Sequence, residues 1–115
     1  MAEYSIVLDH LIRNRTVAES FCMIEEWLRV EGAKVKQYQP PNFLKASHGR
    51  AMQLMGWKKD AKKTISFELS QQGSDTYVRV TLTPALGNAM DVRMGEVEAR
   101  SNWGELMAEL WMRFD

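Results

Sequence analysis

The sequence predicts an α+β domain: one antiparallel sheet of four to five strands with two helices packed on one face, in the order β-α-β-β-β-β-α. Three observations predict it. Ile65, Phe67 and Leu69 alternate with polar residues, as do Val78, Val80 and Leu82, and a glycine-bearing turn lies between the two runs. That is the pattern of a hairpin covered on one side only. Two further segments, opening near Thr16 and Asn102, repeat their apolar residues at helical spacing. The chain has 115 residues, close to the commonest size of a single domain, so residues 1–115 are read as one unit.

The elements follow in order. Tyr4 to Leu8 reads as a strand centred on β-branched Ile6 and Val7. After the polar Arg13-Asn14-Arg15, Thr16 and Glu19 have the spacing of a capping box, in which each side chain satisfies the other's backbone amide. Val17, Phe21, Ile24 and Leu28 then fall on one helical face, and Gly32 suits a left-handed cap, predicting a helix over 16–31. Lys34 to Tyr38 begins the next strand, and Pro40-Pro41 ends it because proline donates no ladder bond. Phe43 to His48 is a strand, with Gly49 at a turn or bulge. Residues 50–57 change phase and suit either a strand or a loop. The hairpin follows, its turn drawn over Gln71-Gln72-Gly73-Ser74-Asp75, and Pro84 and Gly87 close the sheet region. Residues 88–100 fit an extended segment or an early helical turn. From Asn102, Trp103, Leu106, Met107, Leu110, Trp111 and Phe114 form the core stripe of a last helix, with Ser101 or Asn102 as its cap.

With 45% hydrophobic and 26% charged residues and four tryptophans, the composition is that of a folded chain. The single cysteine, Cys22, rules out an internal disulfide and a cysteine-rich metal site; beside Phe21 and Ile24 it is expected to be buried. No apolar run approaches the ~20 residues of a membrane span, and the first residues lack the pattern of a secretory signal. A cytoplasmic protein without membrane attachment is expected.

Net charge is zero, yet the charges are segregated. Residues 1–33 hold six acidic and three basic side chains, and so do residues 85–115. Residues 34–63 hold eight lysines or arginines against one acid, Asp60. Such a segment attracts anions locally whatever the overall balance.

The order of elements resembles the TBP-like fold, in which a strand, a helix, four strands and a final helix make a curved sheet backed by helices. Ala46-Ser47-His48-Gly49, and Gly56-Trp57-Lys58-Lys59-Asp60-Ala61-Lys62-Lys63 leading into the hairpin, also resemble small archaeal-type proteins of unassigned function. TATA-binding proteins carry two such units with apolar wedges. This chain has one, and its open face is expected to be polar (Ser66, Glu68, Arg79, Thr81), so the resemblance implies a topology and carries no TATA-type recognition.

Catalytic chemistry is poorly provided for. His10, His48 and Cys22 are scattered, short of the four closely spaced ligands of a structural zinc site. They also lack the local signature of a nucleophile with its base. Glu25-Glu26 and Glu96/Glu98 suit solvated helix faces, and the glycines form no phosphate loop. No catalytic residue, metal or cofactor is expected, and the reading leans away from an enzyme. What remains is the basic segment: Lys58, Lys59, Lys62 and Lys63, with Trp57, Arg50 and His48 near them in sequence. Lysines neutralise phosphate without reading sequence, and an aromatic beside them stacks on a base; the plainer reading is a solvated loop guarding a sheet edge. The leading expectation is a small binding module with a basic rim for an anionic partner, nucleic acid or an acidic protein. One alternative is an apolar-ligand or lipid carrier with a helix-grip-like cavity beneath the C-terminal helix, suggested by Met52, Met55, Met90, Met94, Met107 and Met112, although methionine is also ordinary core filler. The other is a homo-oligomer, since Trp27 and Met112 point off the main stripes.

Overall fold

The computed structural model describes residues 5–49, 61–84 and 92–114. Strand β1 (Ile6–Ile12) leads to helix α1 (Val17–Val30), then to β2 (Lys34–Gln39), β3 (Phe43–His48), β4 (Lys63–Gln72) and β5 (Asp75–Pro84). Helix α2 (Val92–Trp111) follows and ends in a single 3₁₀ turn, Met112–Phe114. The five strands form one antiparallel sheet in the order β1-β5-β4-β3-β2. The predicted class and element order are those observed.

Both ends of α1 are fixed by local chemistry. The Thr16 hydroxyl accepts from the Glu19 amide at 3.1 Å, and the Glu19 carboxylate accepts from the Thr16 amide at 3.1 Å, completing the capping box. At the other end Gly32 takes φ +76, which L side chains rarely adopt. The Ala33 amide donates to Leu28 and the Gly32 amide to Arg29, the two bonds of a Schellman motif. The β4–β5 turn is tighter than the predicted five residues. Gln72 pairs with Asp75, leaving Gly73-Ser74 as the connection. Gly73, at φ +61, occupies the first central position, where a type II′ turn needs glycine.

Two further boundaries differ from the sequence expectation. Strand β1 runs on to Ile12 instead of ending at Leu8, because Ile6, Leu8, His10 and Ile12 keep one facing along the whole strand; Tyr4 lies outside the described residues. Helix α2 starts at Val92, well before Ser101 or Asn102, which therefore lie inside it. Ala99 is buried in the core, while Val97 is 70% exposed.

The sheet's two faces divide as the alternation requires. Ile6, Ile12, Leu44, Ala46, Ile65, Phe67, Leu69, Val78, Val80 and Leu82 meet both helices in one core. Helix α1 contributes Phe21, Ile24, Trp27 and Leu28; α2 contributes Trp103, Leu106, Met107 and Leu110. Trp27, expected off the stripe, is 1% exposed, whereas Cys22, expected inside, is exposed. One position beyond Phe21 on a helix turns a side chain about 100° away from the core. The opposite sheet face is polar. Arg79 Nε lies 3.2 Å from Asp9 on the neighbouring strand, Arg79 Nη2 donates to Tyr77, and Ser5 and Thr83 share a hydrogen bond.

Candidate functional site

Polar side chains also occur on the buried face, at the end of β3 and the start of β4. His48 and Lys63 are register partners across these strands. Each holds an inward position: Leu44, Ala46 and His48 alternate along β3, as do Lys63, Ile65, Phe67 and Leu69 along β4. Lys63 is 1% exposed and His48 7%.

The Lys63 Nζ lies 3.0 Å from His48 Nδ1 and donates to the Ala61 carbonyl at 2.9 Å. It also stands 5.5 Å above the Trp103 ring, a cation–π arrangement from α2. His48 Nε2 lies 3.2 Å from Glu31, the C-cap residue of α1, and the Trp27 ring is stacked near-parallel to the imidazole at 6.3 Å. An ammonium has donors only, so a protonated Lys63 makes Nδ1 the acceptor; the imidazole proton is then on Nε2, donated to Glu31. The result is a directed chain from Lys63 through His48 to Glu31, walled by two tryptophans, joining β3, β4 and the end of α1. It holds donors, acceptors and charge in a nearly closed setting, arranged more as a clasp between elements than as a cleft.

Of the expected site residues, the structure brings together His48 and Lys63. Lys63 turns its ammonium inward and so does not belong to a solvent-facing rim. Lys62 is half-buried beside it. Arg50, Trp57, Lys58 and Lys59 lie outside the described residues, as do Met52, Met55 and Met90. Glu31, Trp27 and Trp103 were not singled out by the sequence for this site. The signal available was the strand phase: a histidine and a lysine each sit where the alternation requires an apolar residue.

Elsewhere, His10 is stacked on Trp111 at 4.2 Å and an interplanar angle of 8°. Tyr77 and Arg79 hydrogen-bond Asp9 and hold its carboxyl below the usual value. Shallow pockets occur away from the clasp, one of about 220 Å³ lined by Glu25, Arg29, Ala33 and Val35 and another of about 450 Å³ on α1 lined by Arg15, Ala18, Glu19, Cys22 and Met23. Over residues 99–110 the side chains between α2 and the sheet are core, with Trp103 and Leu110 fully buried. Among the described residues no three His, Cys, Asp or Glu side chains are grouped to hold a metal ion, and no helix is long and apolar enough to cross a membrane.

No family model matches the chain, and no curated protein does. Solved structures do. Protein MLL2253 from Mesorhizobium loti superposes with a TM-score of 0.66 at 12% identity, covering 95% of each chain. CalU16 from Micromonospora echinospora gives 0.54 at 12% identity over 97% of this chain and 83% of that one. Aha1 from Colwellia psychrerythraea, solved as a dimer, gives 0.55 at 14% identity over 91% and 92%. At such identities the likeness is one of fold. None of these three supports the TBP-like comparison; the chain shares its sheet-and-helix architecture with small proteins of this kind.

Proposed function

We propose that the chain is a small binding module that presents the basic segment between β3 and β4 to an anionic partner. The observation that carries this reading is the hydrogen bond between His48 and Lys63. These residues end β3 and begin β4, so the clasp ties the two ends of the intervening segment together. That segment holds Arg50, Trp57, Lys58, Lys59 and Lys62 against one acid, Asp60. Binding residues concentrate on connections whose ends are held by a rigid scaffold, and clustered lysines beside an aromatic suit repeated negative charge. Lys63 supports the base and takes no part in the contact.

The test replaces Arg50, Lys58, Lys59 and Lys62 together with glutamine and leaves the clasp intact. Binding of a labelled single-stranded oligonucleotide and of a labelled acidic peptide is followed by anisotropy over a salt series. If nucleic acid is the partner, its affinity is lost and the log–log salt slope shrinks by about 0.7 for each phosphate contact removed. Loss of the peptide alone assigns an acidic protein. Equal behaviour of both proteins toward both probes ends the proposal.

A second reading is association with copies of itself. The Colwellia protein solved as a dimer supports it, and so does the character of the sheet's β1 edge.

A further inference from the structure

The two edges of the sheet are built differently. β2 has the features that natural edge strands use against pairing. It is six residues long, carries Lys34 and Lys36, is bulged between Val35 and Gln37, and is followed by Pro40-Pro41. β1, at the other end, has only one such feature, the charge of Asp9. Its seven residues Ile6–Ile12 contain no lysine, arginine or proline, and its register with β5 is regular over the full length. Among the described residues no strand pairs with its outer side. Val7 is 46% and Leu11 40% exposed there, on the otherwise polar sheet face. A regular apolar edge of this kind is a template for another strand.

We infer that the partner of this edge is a second copy of the chain, paired β1 to β1 in antiparallel fashion about a two-fold axis at Asp9. The inference rests on the self-association reading above and adds its surface. The strand reads nearly alike from either end: Ile-Val-Leu-Asp-His-Leu-Ile. With Asp9 on the axis, Ile6 faces Ile12 of the copy, Val7 faces Leu11, and Leu8 faces His10. Every pairing off the axis has an apolar member, and the same patch serves both subunits, as a closed two-fold interface requires. Side chains keep their faces, so two five-stranded sheets become one continuous sheet with its helices on one side.

The axis is the costly point, because two Asp9 carboxylates face each other and like charges directly opposite destabilise a strand pair. Arg79 offsets this, since each aspartate already has its own Arg79 Nε at 3.2 Å; the axis then holds two carboxylates and two guanidiniums. An edge-to-edge contact buries little surface, so the dimer falls at the weak, micromolar end of interface affinities or beyond it.

Sedimentation equilibrium of the full chain over a concentration series, to about 1 mM so as to pass that micromolar end, tests the inference. The wild type is expected to follow a monomer–dimer equilibrium. Val7→Lys/Leu11→Lys is expected to weaken association by at least about tenfold, since each substitution enters a two-fold interface twice. Val35→Lys on the β2 edge leaves it unchanged. Circular dichroism checks that each variant folds. Should the double variant not fold, hydrogen exchange on the wild type decides, because β1 amides directed away from β5 exchange more slowly as concentration rises. A monomer at every concentration ends the self-association reading itself. A dimer indifferent to Val7→Lys/Leu11→Lys, or without that concentration-dependent protection, overturns only the β1 interface, as does growth beyond a dimer.

Discussion

Taking an ammonium out of water costs several kcal/mol unless its hydrogen bonds are replaced. Lys63 is kept at 1% exposure with the His48 ring, the Ala61 carbonyl and the Trp103 face around it. Removing one member of such a group costs more than the bond itself, because the partner left behind is desolvated and unpaired. Lys63→Met, close in volume, is therefore expected to lower stability by about 1–3 kcal/mol. Adding His48→Leu should cost less than its effect alone, since the ring that needed the ammonium is gone and Glu31 can turn to water. A double-mutant cycle in urea measures this as a coupling of about 0.5–3 kcal/mol; strict additivity would show that the clasp is not a unit. The pair was half-legible in the sequence. His48 and Lys63 both stand out in the sequence, but for their charge and their neighbours. Their strand phase, which makes them inward, was outweighed by the run of lysines just before.

At the scale of single elements, α1 shows how far local signals reach. Thr16, Glu19 and Gly32 act within one turn of their own backbone, so the sequence alone specifies both helix ends. Thr16→Ala removes the hydroxyl that accepts from the Glu19 amide and is expected to cost about 1 kcal/mol, read as a lower melting temperature. The other half of the box adds a pH signature. Hydrogen bonding from the Thr16 amide, with a smaller part from its hydroxyl, holds the Glu19 carboxyl below its ordinary 4.5. A carboxyl depressed in the folded state stabilises above its unfolded value and loses that contribution as pH falls through the folded one. Glu19→Gln keeps the reach without the charge, so its deficit against wild type should be full at neutral pH and close as pH drops below 4.5. A deficit constant with pH would mean that the ionised box adds nothing. The start of α2 carries no capping box, and Met90, Val92, Met94 and Val97 fit an extended segment as well as a helical turn, so the sequence leaves that boundary open.

For the molecule as a whole, alternation in the strands and striping in the helices dictated two helices on one sheet face. Which strands lie side by side was not legible: β1 pairs with β5 across some 70 residues, as in Leu8 with Val80, and no local pattern records so distant a contact. That pairing nevertheless decides how the protein unfolds. Helix α1 packs mainly over β3, β4 and β5, and α2 reaches β1, yet their buried side chains belong to one cluster with Phe67 and Val80 at 0% exposure. Neither helix has a core of its own to survive on. Unfolding is therefore expected to be all-or-none. The indole signals of Trp27 on α1 and Trp103 on α2, followed separately by NMR, should disappear at the same urea concentration, together with the far-ultraviolet dichroism. Phe67→Ala, which opens a cavity beneath the helices at a cost of about 3–5 kcal/mol, should move both signals down by the same amount. Were Trp103 to melt apart from Trp27, the two helices would rest on separate cores, and the clasp that joins β3, β4 and the end of α1 beneath Trp103 would hold together only half of the fold.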